Sequence, residues 1–101
     1  IRPNQRFKVV VSREEGENNY LEGYRKAFTN IRPISHTGPL ALLDGSPNAH
    51  DVETAARIVA RYSKGKGEDQ VSLQVEPVDG QPFVLQAKPF IAEEIPKSWF
   101  I

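Results

Sequence analysis

At 101 residues, with 39% hydrophobic and 26% charged side chains, the chain has the size and make-up of one folded domain, which excludes a two-domain arrangement and a disordered segment. The absence of cysteine excludes a disulfide framework, a thiolate metal site and a cysteine nucleophile, and fits a reducing, cytoplasmic setting. Thirteen basic and thirteen acidic side chains cancel, so no overall positive field draws in a polyanion and any nucleic-acid contact must rest on segregated charge.

Phe7-Lys8-Val9-Val10-Val11-Ser12 is short and rich in β-branched residues, which predicts a mostly buried strand. After the break at Glu14-Glu15-Gly16-Glu17, the stretch from Asn18 to Thr29 places Tyr20, Leu21, Tyr24 and Phe28 at helical offsets, with Glu22, Arg25 and Lys26 facing away. That predicts a short amphipathic helix, acidic at its start and basic near its end in keeping with the helix dipole. Ile31-Arg32-Pro33-Ile34 is then extended or an edge strand, because proline lacks an amide donor and turns its predecessor away from helical geometry.

Ser35-His36-Thr37-Gly38-Pro39 reads as a loop, and Leu40-Ala41-Leu42-Leu43 as a buried strand closed by a turn at Asp44-Gly45. A helix is predicted from about Pro47 to Ser63, with Ser46 or Asn48 as cap, Pro47 in the first turn, and Val52, Ala55, Ala56, Val59 and Tyr62 at spacings of three and four. Gly65 and Gly67 end it, and Arg57, Arg61 and Lys64 fall on one exposed stripe. Val71, Leu73 and Val75 alternate with polar residues as in a strand with one wet face. Asp79-Gly80 signals a hairpin, and Phe83, Leu85 and Ala87 alternate in a returning edge strand bracketed by Pro82 and Pro89. Trp99, Phe100 and Ile101 close the chain, with packing onto the core the first reading and contact with another part of a parent protein the second.

The expected fold is therefore α+β, a small and mainly antiparallel sheet of four to five strands packed against two helices. Residues 1–101 are expected to form a single domain with a core over about 7–90 and a tail over 91–101. No run approaches the roughly 20 apolar residues that cross a bilayer, and no membrane partner is expected. The chain begins Ile1-Arg2-Pro3-Asn4 and contains no methionine, which predicts a piece excised from a larger protein.

Chemistry is sparse. No glycine-rich phosphate loop joins a strand to a helix, so nucleotide binding is not expected. His36, His50 and scattered carboxylates lack metal-ligand spacing, and His50-Asp51 at a helix start is explained by capping and the dipole. No nucleophile-elbow pattern surrounds Ser35 or Ser46, and adjacent pairs such as Glu14-Glu15 or Glu93-Glu94 do not supply two carboxylates in different environments across a cleft. Catalytic residues, metal and cofactor are all expected to be absent.

Three stretches taken in order carry a resemblance. Gly16-Glu17-Asn18-Asn19-Tyr20-Leu21 leads into the first predicted helix. His36-Thr37-Gly38-Pro39-Leu40-Ala41-Leu42-Leu43 turns on glycine before an apolar strand. Ala55-Ala56-Arg57-Ile58-Val59-Ala60-Arg61-Tyr62-Ser63-Lys64 ends the second helix and is followed by Val71-Ser72-Leu73-Gln74-Val75. Together they resemble the NFACT-R family of RNA-binding domains, in particular the short form at the C-terminus of PP-loop proteins related to tRNA 2-thiouridine synthesis. Pro39-Leu40 stand where the longer form has serine and histidine, so that loop's part in RNA contact is not carried over from the longer form.

The resemblance implies a noncatalytic attachment that binds RNA, tRNA in the first place, for a PP-loop, ATP-dependent tRNA-modifying domain placed before it in the parent chain. Charge segregation is compatible with this: residues 25–66 hold seven basic and three acidic side chains, whereas residues 67–101 hold two basic and six acidic. The candidate RNA contacts are Arg57, Arg61, Lys64 and Lys66, with Arg25, Lys26, Arg32 and His36. Tyr20, Tyr24 and Tyr62 are expected in the core by their helical positions, with stacking on unpaired bases the second reading. The competing function is a protein-interaction module in which the tail around Trp99 docks on the parent enzyme or a sulfur-delivery partner.

Overall fold

In the computed structural model, which describes residues 1–12 and 27–100, the β-branched run Phe7–Val11 forms strand β1. Strands β2 (Thr29–Pro33), β3 (Ala41–Gly45), β4 (Val71–Glu76) and β5 (Phe83–Ala87) join it in one sheet of order β1-β3-β2-β4-β5, with every neighbouring pair antiparallel. Helix α1 (Ala49–Arg61) packs against β2, β4 and β5, and two 3₁₀ turns, Ala92–Glu94 and Lys97–Trp99, follow the last strand. The α+β class and the antiparallel sheet match the sequence expectation. Among the described residues there is one α-helix instead of two. Most of the predicted first helix lies outside them, and its last residue, Thr29, opens β2.

Alternation along the strands decides the two faces of the sheet. Phe7, Val9, Ile31, Leu43, Val71, Leu73 and Val75 point toward α1 and form the main core with Ala55, Ala56, Ile58, Val59 and Ala60 of the helix. The three alanines let the helix lie close to the sheet while Ile58 and Val59 fill the space between the strands; burying a side chain of that size contributes about 2 kcal/mol. Leu40 and Leu42 face the other way and pack with Val10 and Phe28.

Three local expectations are corrected. The Ile31–Ile34 segment is not an edge: β2 is the central strand, and its proline is tolerated because pairing with β3 stops at Ile31, so Pro33 has only β4 beside it. Asp44 and Gly45 do not close the apolar run but complete β3, paired with Lys8 and Phe7. Gly45 has φ +131°, and a Cβ there would collide with the Arg6 carbonyl, which accepts the Ser46 amide at 2.8 Å. Pro47 lies before the helix, because Asn48 is the cap: its side chain accepts the Asp51 amide at 2.8 Å while the Asp51 carboxylate accepts the Asn48 amide at 3.0 Å. The hairpin expected at Asp79-Gly80 is present: β4 and β5 pair antiparallel and are joined by residues 77–82, with Pro82, which has no amide hydrogen, just before the ladder.

Asp51 also ties the N-terminus to the helix. It is 2% exposed, and its carboxylate accepts from Arg6 Nε at 2.7 Å, Arg6 Nη2 at 2.8 Å and Asn4 Nδ2 at 2.9 Å. The Arg6 guanidinium, aided by the Asn48 amide and Asn4, holds the Asp51 carboxyl well below the usual carboxylate range.

The C-terminal segment is tied to the middle of α1. Arg57 Nε donates to the Lys88 carbonyl at 2.9 Å, its guanidinium carbon lies 3.9 Å from the Phe90 ring centroid, and Nη2 is 3.5 Å from Glu94 Oε1. Trp99 meets Phe90 edge-to-face at 6.1 Å, packs against the core and accepts the Arg2 amide through its carbonyl. Of the two readings of the terminal aromatics, packing therefore describes Trp99, whereas Phe100 remains exposed.

Candidate nucleic-acid interface

Beyond Pro33 the chain leaves the sheet and lies along the end of α1. The Ile34 amide donates to the Ser72 carbonyl at 2.8 Å, and the Ser72 amide returns a bond to Ser35 Oγ at 3.0 Å, so the start of the loop is pinned to β4. Ser35 Oγ also sits 2.8 Å from His36 Nδ1. The hydroxyl accepts from Ser72 and keeps a second lone pair as well as its own proton, so it donates to Nδ1 or accepts from it according to the imidazole tautomer. Nε2, at the ring corner away from Ser35, is correspondingly an N–H donor or an acceptor.

Two glycines let the loop and the helix end touch. A Cβ on Gly65 would lie 2.8 Å from His36 Cγ and Nδ1, and one on Gly38 would lie 2.7 Å from Ser63 Cβ. Between them the Lys64 amide donates to the Thr37 carbonyl at 2.7 Å. Ser63 is buried: its hydroxyl donates to the Ala60 carbonyl at 2.7 Å and accepts the Gly65 amide at 3.0 Å. The Tyr62 amide meets the carbonyls of Ile58 at 3.3 Å and Val59 at 3.1 Å. The carbonyls of Ile58, Val59 and Ala60 are thereby occupied, which blunts the negative end of the helix dipole where an anion would otherwise be disfavoured.

This junction gathers part of the predicted contact set. Arg61, Lys64 and Lys66 lie within six residues of chain, with the two lysines exposed, and His36 is laid against Gly65 between them. Glu68 and Asp69 follow, both exposed. Arg57 does not join the group: its side chain is 31% exposed and its donors are engaged with Lys88 and Glu94, so the expected stripe of Arg57, Arg61 and Lys64 is divided. Arg32 points to the sheet face opposite α1, opposite Gln74 in register. Arg25 and Lys26, like Tyr20 and Tyr24, lie outside the described residues.

Tyr62 departs from its expected place in the core, being 45% exposed. It caps the helix, and the Ser63-Lys64-Gly65 sequence after it is the signal that marks this helix end. Sequence reasoning also passed over Ser35 and Ser63, whose value lies in holding the backbone around His36 and Tyr62.

Among the described residues no group of three or more His, Cys, Asp or Glu side chains could hold a metal ion. The helix end thus carries two exposed lysines and an exposed tyrosine beside the loop that bears His36. The family model for the NFACT protein RNA binding domain matches residues 1–100, and the chain belongs to that family. No curated protein matches the chain in sequence.

Proposed function

We propose that this domain binds tRNA as a noncatalytic accessory of a PP-loop tRNA-thiolation-type enzyme, using the junction between residues 34–38 and 61–66 as its contact surface. Family membership supplies RNA as the partner. The observation that carries the choice of surface is the 2.7 Å bond from the Lys64 amide to the Thr37 carbonyl. It joins two of the three family-like stretches, His36 to Leu43 and Ala55 to Lys64, and so sets the backbone that bears His36 beside the one that bears Lys64. Lysine and arginine there neutralise phosphates, and the His36 ring adds a polar contact beside them. With a net charge of zero the domain supplies modest affinity, to which the catalytic domain placed before it in the parent chain adds by tethering. The setting is cytoplasmic.

The test is tRNA binding measured across a salt series for the domain and for the Lys64→Glu, Lys66→Glu double variant. The reading expects weakened binding and a salt dependence shallower by about one to two units of log–log slope. Affinity indifferent both to salt and to charge reversal would overturn it. The enzyme context is checked separately, by a PP-loop motif in the parent sequence upstream of Ile1.

A further inference from the structure

Tyr62, Phe83 and Phe100 are the exposed large aromatics among the described residues. Phe83 lies on edge strand β5 beside a shallow groove lined by Ala49, Val52, Glu53 and Leu85, where the charged side chain is acidic. Phe100 follows the last 3₁₀ turn. Tyr62 differs from both in its surroundings: Arg61 precedes it, Lys64 and Lys66 follow, and the loop bearing His36 is bonded to the same stretch. Its backbone is held on both sides, by its own amide bonds to Ile58 and Val59 and by the buried Ser63 hydroxyl on Ala60.

We infer that the RNA recognised at this junction is unpaired, one base stacking on the Tyr62 ring while the adjoining phosphates meet Lys64 and Lys66. The inference rests on the RNA-contact reading above and names the class of RNA. A paired base has both faces covered by its neighbours in the helix, whereas a base in a loop or at an end offers a free face to an aromatic ring. Stacking of this kind is indifferent to base identity and adds about tenfold or more to affinity per base. In a domain with no net charge, that apolar contribution complements a small cationic cluster. A phenol on a fixed backbone loses little freedom when it is covered. The His36 ring, on the loop bonded to the same stretch, is placed to meet the phosphate or the base edge beside the stacked nucleotide.

Fluorescence anisotropy with an unstructured RNA oligonucleotide and with an RNA duplex of equal length tests this. The native domain binds the single strand more tightly than the duplex. Tyr62→Leu weakens single-strand binding about tenfold and leaves the salt slope unchanged, because no ionic contact is lost, while Tyr62→Phe retains affinity. The double variant Lys64→Glu, Lys66→Glu instead lowers affinity for both RNAs and flattens the salt slope. Tyr62→Leu binding the single strand as the native domain does, or a preference for duplex, overturns the stacking inference and leaves the RNA-contact reading standing. Failure of the native domain to bind either RNA, or indifference to the lysine reversals, overturns both.

Discussion

His36 lies against Gly65 so closely that a Cβ on the glycine would stand 2.8 Å from the imidazole Cγ and Nδ1, and 2.8 Å from Val71 Cγ2. A loop and a helix end, separated by the whole of β3 and α1, are therefore fitted to one another at a point where the chain has no side chain to spare. Gly65→Ala forces the ring or the strand residue to move, at a cost of about 1 to 2 kcal/mol. The displacement is local, so the variant should still unfold cooperatively. Its RNA affinity should fall, and the His36 ring resonances should shift in an NMR spectrum.

Arg57 separates stability from binding. Arg57→Ala removes the bond to the Lys88 carbonyl, the contact with Phe90 and the Glu94 pair, and loosens the segment that carries Phe90 and Trp99. Because the guanidinium is partly solvated, a loss of about 1 kcal/mol is expected, equivalent to roughly 4 to 8 °C in Tm. RNA affinity should stay within about twofold of native, since ordinary surface substitutions away from a contact change little. Calorimetry alongside anisotropy checks both; a large loss of affinity without a change in Tm would place Arg57 at the RNA.

The Asp51 cluster should govern acid stability. The folded carboxyl titrates well below its ordinary value, with the Arg6 hydrogen bonds the largest cause. Its contribution is fully present above the unfolded carboxylate pKa near 4 and is lost as pH falls from there toward and through the depressed folded value. Asp51→Asn should be about 2 kcal/mol less stable at neutral pH, having lost charged hydrogen bonds and half of the capping box. The gap between native and variant should narrow below pH about 4, because protonated native Asp51 no longer holds Arg6 as a charge partner. Urea unfolding at several pH values measures it.

Glu68 and Asp69 stand two and three residues after Lys66, within reach of a phosphate bound there at ordinary ionic strength. Replacing both by Gln and Asn should raise RNA affinity severalfold and change stability by less than about 0.5 kcal/mol. A salt titration checks the origin of the gain, which should shrink as salt rises.

Glutamate 94 illustrates how local geometry escapes a reading by composition. Glu93-Glu94 reads as a solvated acidic pair, yet the Glu94 carboxylate accepts the Ile91 amide at 3.0 Å and faces Arg57, and these hold its pKa below the ordinary range. Tyr62 is the converse. Helical spacing groups it with Ala55 and Val59, but it stands at the C-terminal cap and is 45% exposed.

Period and punctuation in the sequence determined where three of the five strands begin, the alternation that splits the sheet into two faces, and the existence of the helix ending near Arg61, because each depends on neighbours two to four residues away. The tertiary structure alone decided that a proline-bearing segment is the central strand, that Arg57 belongs to the C-terminal segment, and that the loop bearing His36 lies against the stretch from Arg61 to Lys66. Those outcomes depend on contacts between residues twenty or more positions apart, such as Thr37 with Lys64 and Arg6 with Asp51. Local spacing has no means of encoding such contacts, since they follow from strand order and from the two glycines that let backbone approach side chain.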